Sequence, residues 1–265
     1  MKPTVSVDSK IWRGQAASGS RVVAAETPVA FVYDGGTEAV MMATPADLED
    51  FALGFSLNDG IIASAEEATD LAVVEVEQGI ELRMQLSHRN REALVTRRRH
   101  RAGPVGCGLC GVESIGGALP ALPLVTASLS INAAEIVEAM RALAPLQKLN
   151  AETRAVHAAA FFVRGHGIVA VREDVGRHNA LDKLTGGLVR AKHQPATGVI
   201  LMTSRISVEL VQKAAMMGAP ILAAVSAPTA LALRESYKAG ITLIGVVRDD
   251  GCEIFTHPER IADAR

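Results

Sequence analysis

Residues 158–174, AAAFFVRGHGIVAVRED, open a series of short apolar runs that continues with GVILMT at 198–203, PILAAVS at 220–226 and TLIGVV at 242–247. Each run has strand length, is rich in Val, Ile, Leu and Ala, and is bounded by turn residues. The segments between them, 179–191, 208–217 and 229–238, carry apolar residues at helical spacing. Strand and helix in turn predict an α/β layered sheet with helices on its faces. The first run reads as two strands that turn at Gly165-His166-Gly167.

Moving outward, the N-terminal half has a different character. VAFVY and EAVMMA flank Asp34-Gly35-Gly36, which predicts a hairpin. Thr44-Pro45 then caps a helix with Pro at its first position, and Asn58-Asp59-Gly60 stops it. A second hairpin is expected over 71–86, turning at Gln78-Gly79, and a helix over 133–143. The chain is therefore expected to divide near residue 145, into an α+β part at 1–145 and an α/β part at 146–265.

Composition narrows the function. The 27 basic and 29 acidic side chains leave a formal charge of -2, and aromatics make up 3% of the 265 residues, which argues against a nucleic-acid partner. Three cysteines cannot build a disulfide framework, and MKPTVSVDSKIWRG lacks the apolar core of a signal peptide, so a cytoplasmic setting is expected. Two uncharged stretches, 115–134 and 214–233, have the length of a membrane span. Pro120, Pro123, Pro220 and Pro228 interrupt them, so both read as core and turns rather than membrane helices.

Two constellations carry chemistry. Gly106-Cys107-Gly108-Leu109-Cys110-Gly111 sets two thiols three positions apart among glycines. A structural zinc site would need four ligands, and the remaining cysteine, Cys252, stands far away. A thioredoxin-like pair would open a long helix, for which VESIGGALPALP is poor material. A buried structural turn and a loop that carries sulfur complete the alternatives. Upstream, Arg97, Arg98, Arg99 and Arg101 would favour the nucleophilic thiolate if they lie near the loop, or else form a solvated helix face.

The second constellation is His157 together with Arg172-Glu173-Asp174-Val175-Gly176-Arg177-His178-Asn179 and Asp182-Lys183, at strand ends and a helix entrance. A helix start there offers free N–H groups to phosphate, while salt bridges that merely cap the helix are the plainer reading. Ser204 and Arg205, after the next strand, add a hydroxyl and a guanidinium suited to phosphate or carboxylate. Two polar strand exits on one sheet favour a ligand crevice.

GCGLCGVES (106–114), EDVGRHNALDKL (173–184), TSRISVELVQKAA (203–215) and THPER (256–260) resemble the FdhD family, the sulfur-carrier accessory proteins of formate dehydrogenase. The similarity runs from Glu26-Thr27-Pro28-Val29 through Thr44-Pro45 and Gly54-Phe55 to Pro258 and covers most of the chain. The resemblance implies a cytoplasmic homodimer whose C-terminal domain is similar to the cytidine-deaminase fold. It also implies a sulfurtransferase that takes sulfur from a cysteine desulfurase as a cysteine persulfide. The implied acceptor is the bis(molybdopterin guanine dinucleotide) molybdenum or tungsten cofactor, before its insertion into formate dehydrogenase.

By the resemblance, Cys107 matches the family's persulfide-forming cysteine and Cys110 its companion. The cofactor-binding stretch falls on Val246, Val247, Arg248, Asp249, Asp250 and Gly251, where Arg248 is expected to face a phosphate. His157, Arg177, His178, Ser204 and Arg205 join it as cofactor-binding candidates, and no structural metal is expected. The family's TGG before the histidine is replaced by Glu152-Thr153-Arg154-Ala155-Val156, and a commonly aromatic position is Val208. Deaminase chemistry itself is not expected. It needs His-x-Glu ahead of Pro-Cys-x-x-Cys, whereas His157-Ala158-Ala159 has no Glu and CGLC precedes it. A non-catalytic chaperone that binds and delivers the guanine dinucleotide cofactor is the alternative function.

Overall fold

A computed structural model describes residues 1–91, 94 and 119–264. Cys107, Cys110 and the arginines at 97–99 and 101 lie outside the described residues.

The described chain is a mixed α/β structure with three sheets. Strands β1 (Thr4–Trp12) and β2 (Ala16–Ala24) form an antiparallel ribbon that the sequence reading did not anticipate. Strands β3 (Thr27–Tyr33), β4 (Gly36–Ala43), β5 (Ala68–Val76) and β6 (Gly79–Leu86) make a four-stranded sheet in the order β4-β3-β6-β5. Both expected hairpins are present. The first turns through Asp34 and Gly35 with φ of 50° and 79°, the left-handed pair a tight hairpin needs and Asp-Gly supplies readily. Helix α1 (Leu48–Asn58) packs on this sheet, with Phe31 edge-on to Phe51 and stacked on Phe55.

The start of α1 corrects the expected one. Thr44-Pro45 does not open the helix, which begins at Leu48 after Asp47 in a left-handed conformation with φ 51°. The cause is tertiary: the Thr44 N–H donates to Asp174 Oδ2 at 2.9 Å and its carbonyl accepts from Lys183 Nζ at 2.8 Å. Those bonds hold Thr44 in the crossing between sheets and postpone the helix.

Strands β7 (His157–Val163), β8 (Gly167–Asp174), β9 (Val199–Met202), β10 (Ile221–Ala224), β11 (Thr242–Arg248) and β12 (Gly251–Ile254) form one sheet. Its order is β12-β11-β10-β9-β7-β8, with β9, β10 and β11 parallel and the outer pairings antiparallel. Alternate residues face opposite layers. Ile200, Met202, Leu222 and Leu243 meet α4 (Arg177–Arg190), α5 (Val208–Met217) and α6 (Ala230–Lys238). Val199, Leu201, Ile221 and Ile244 meet α2 (Ala133–Leu143), which precedes the short α3 (Lys148–Thr153). Val125 and Ile131, upstream of residue 145, also belong to these two cores. Among the described residues, no helix is long and apolar enough to cross a membrane.

The four-stranded and six-stranded sheets are joined by α1 crossing α4 at backbone contact. A Cβ on Gly54 would sit 1.7 Å from the Asp182 carbonyl oxygen, and one on Gly186 would sit 2.0 Å from that of Asp50.

Candidate functional site at the strand ends

Parallel β9, β10 and β11 all end on one side of the six-stranded sheet, and antiparallel β7 begins there. His157 is the first residue of β7 and lies opposite Asp174, the last of β8. Arg177 and His178 open α4 after Gly176, Ser204 and Arg205 follow β9, and residues 246–251 run from the end of β11 into β12. The topology thus brings every described candidate to one sheet edge, where open α/β sheets bind ligands.

The motif EDVGRHNALDKL divides between two tasks. Asp174, Asn179, Asp182 and Lys183 turn away from the crevice and lock the two sheets together. Asp174 Oδ2 accepts from Lys183 Nζ at 2.6 Å and from the Thr44 N–H, while its Oδ1 accepts from Asn179 Nδ2 and the Gly176 N–H. Asp182 accepts from Asn58 Nδ2 at 2.7 Å and from Lys213 Nζ at 2.8 Å. Burial pushes the Asp182 carboxyl up, against the pull of Lys213 and Asn58. Alongside, Asp50 accepts from Arg172 and Arg190. The plain reading of this motif, structural salt bridges, holds for these residues.

Arg177 and His178 do the other task. His178 Nε2 stands 3.9 Å from Glu209 Oε2. The Arg177 Nε, His178 Nε2 and Glu209 Oε2 atoms are buried and lack hydrogen-bond partners within the described structure. Buried polar atoms of this kind are normally satisfied, so three in one crevice mark a place for a polar ligand. Burial first, then the charges of Arg177, Lys213 and Arg205, hold the His178 pKa down at about 4, against the opposing pull of Glu209. Burial and Arg177 also lower the His157 pKa. At Glu209 burial acts to raise the pKa. The Ser207 side chain, the residue's own backbone N–H, His178 and Arg177 outweigh it and hold the carboxyl below its ordinary value.

The remaining candidates sit at the crevice rim. Ser204 is buried and its hydroxyl donates to the Arg205 carbonyl at 2.9 Å, while the Arg205 side chain is exposed. Val246 has φ 51°, a left-handed conformation that a β-branched side chain rarely tolerates, at a register shift between Gly245 and Arg248. Strain of this kind gathers at ligand sites. The Arg248 guanidinium donates to the carbonyls of Val225 and Val247. Asp249 pairs with Arg141 at 3.0 Å on the surface, Asp249 and Asp250 form the turn after β11, and Gly251 opens β12. Among the described residues, no three His, Cys, Asp or Glu side chains gather as a metal site.

Sequence reasoning missed Glu209 and Lys213. Their i, i+4 spacing just inside the helix that follows TSRIS was the available signal.

A titration follows from the largely buried imidazole, a quarter of whose side chain is exposed. His178 should remain neutral far below the ordinary histidine range, with an NMR midpoint near 4. Because the folded pKa is below the unfolded value near 6.5, His178 contributes its full stability above about pH 6.5. That stability is lost as pH falls towards 4, by up to about 3 kcal/mol. A midpoint near 6.5 would place the ring in solvent and contradict its burial.

Comparison with known proteins identifies the setting. A model of the FdhD/NarQ family matches residues 24–262. The sulfur carrier protein FdhD of Agrobacterium fabrum is 53% identical over 249 residues, covering 94% of this chain and 92% of that protein. The protein of the same name from Brucella abortus is 51% identical over 246 residues, covering 92% and 91%. A crystal structure from Desulfotalea psychrophila, described as that of a formate dehydrogenase accessory protein, superposes with a TM-score of 0.75 at 26% identity. It covers 97% of this chain and 99% of that one.

Proposed function

The chain belongs to the FdhD/NarQ family, and from that membership we propose that it is a sulfur carrier in the maturation of formate dehydrogenase. It takes sulfur from a cysteine desulfurase onto Cys107 and passes it to the bis(molybdopterin guanine dinucleotide) molybdenum cofactor before insertion. The homodimer, the cytoplasmic setting and a cytidine-deaminase-like C-terminal sheet belong to the same reading. Relatives about half identical over nearly the whole chain carry the name of sulfur carrier, which supports it.

In the loading step, the Cys107 thiolate attacks the outer sulfur of the desulfurase persulfide. The S–S bond breaks, and the desulfurase thiolate leaves. For release, attack of the Cys110 thiolate on the inner sulfur forms a Cys107–Cys110 disulfide and frees hydrosulfide, which balances the exchange. The arginine run at 97–101 favours the thiolate where it adjoins these cysteines.

The cofactor is cargo, and its guanine dinucleotide ends need diphosphate recognition. The observation that carries this part is the gathering of Arg177, His178, Ser204 and Arg205 with the strained 246–251 turn on one sheet edge. Arg177 brings a buried, unpartnered Nε, and α4 presents free N–H groups at its positive end. Neutral His178 adds a hydrogen-bonding group without repelling a guanidinium neighbour.

Calorimetric titration with GDP, a fragment of the cargo, tests the crevice. Wild-type protein should bind, and Arg205→Ala should weaken binding by tenfold or more. A charge-assisted guanidinium contact to phosphate contributes about 1.5–3 kcal/mol. Absence of binding to the wild type would overturn the nucleotide-end reading. Unchanged affinity in the variant would remove Arg205 from the contact.

A further inference from the structure

The outer side of β1 in the β1–β2 ribbon is a strand edge left unpaired among the described residues. The ribbon pairs over nine residues with no register shift, whereas the β3–β4, β5–β6 and β7–β8 pairs are each interrupted by one. Bulges, prolines, short lengths and edge charges are how proteins blunt exposed edges. Strand β1 has none of the first three, and its two charges, Asp8 and Lys10, are of opposite sign. Its outer side has no strand partner among the described residues, while β2 lies towards α3, with Arg21 donating to the Thr153 carbonyl. An isolated two-stranded ribbon is marginal in water. This one also exposes Val7, Ile11 and Trp12, the last at 75%.

The sequence of β1 says what pairs with it. In an antiparallel pairing of two copies about a two-fold axis, opposed residues lie on the same face, so their numbers sum to an even value. A sum of 16 sets Asp8 against Asp8, and a sum of 20 sets Lys10 against Lys10. A sum of 18 puts Ser9 on the axis, Asp8 opposite Lys10 twice and Val7 opposite Ile11 twice. That register is self-complementary in both charge and apolar contact, as an isologous interface requires.

We propose that a second copy of this chain pairs along β1 in this register, joining two ribbons into one four-stranded antiparallel sheet. The proposal rests on the homodimer part of the reading above and gives it a surface and a register. It involves neither the crevice nor the cysteines, and all of the ribbon but Ala24 precedes the residues that match the family model.

Sedimentation equilibrium of the full-length chain tests it, with the emission of Trp12, the chain's one tryptophan, as a second readout. Wild-type protein is expected to dimerise, and its emission should shift to the red on dilution as the indole is exposed. Asp8→Lys and Lys10→Asp each replace two favourable pairs by two like-charge pairs, so each should raise the dimer dissociation constant at least about tenfold. The combined Asp8→Lys and Lys10→Asp variant restores opposite charges and should dimerise again. Both side chains are exposed, so folding is not at issue. A wild-type dimer indifferent to the single changes, or a combined variant that stays dissociated, overturns the ribbon pairing while the homodimer reading stands. A monomeric wild type overturns both.

Discussion

Replacing Lys183 by methionine is expected to destabilise the protein by about 3–5 kcal/mol, the cost of stranding a buried charge. Lys183 and Asp174 are both 0% exposed and 2.6 Å apart. Lys183 Nζ also donates to the Thr44 carbonyl and lies 5.5 Å from the centre of the Phe51 ring. Without it, Asp174 keeps the Thr44, Gly176 and Asn179 donors but loses its countercharge. Chemical denaturation of the single variant and of Lys183→Met with Asp174→Asn separates the terms. The double variant should lose less than the single one, because it removes the unpaired carboxylate. Equal losses would mean that packing, not charge, sets the cost.

The second large effect is expected at the helix crossing. Gly54→Ala should cost about 3 kcal/mol or more, because its Cβ would overlap a main-chain oxygen that cannot turn aside without separating α1 from α4. Gly187→Ala makes the informative contrast. There the nearest atom is Arg172 Nη2 at 2.7 Å, a side-chain end whose displacement strains its ion pair with Asp50 but moves no main chain. Its loss of stability should be clearly smaller when both are measured by urea denaturation. Similar losses would show that the crossing yields easily.

What the sequence disclosed follows the range of the forces involved. Helix α2 begins where expected because Asn132 and Glu135 form a capping box, and α5 ends at Gly218 with φ 71°. These are local signals. The start of α1 was displaced by bonds from Asp174 and Lys183, residues more than 125 positions away, which no local pattern reports. The same limit hid the division of labour within EDVGRHNALDKL. Arg177 and His178 adjoin Asn179 in sequence, yet α4 carries them to the crevice and carries Asn179 to the Met42 carbonyl. The candidate edge itself was legible, since polar residues after successive strands must share one side of a parallel sheet. The left-handed Val246 was not, because a valine advertises strand. The ribbon escaped notice because its apolar residues are sparse and Gly14, with φ 82°, lies in a polar turn.

Carriage of sulfur on Cys107 is the step on which the proposed function depends. It is read by mass spectrometry of the 265-residue chain, and of its CGLC peptide, after incubation with a cysteine desulfurase and cysteine. A gain of one sulfur atom on Cys107 is expected in the wild type and none in a Cys107→Ala variant, which should also fail to mature formate dehydrogenase. No gain on either cysteine of the pair, together with full client activity in the variant, would contradict it and leave cofactor delivery without sulfur transfer.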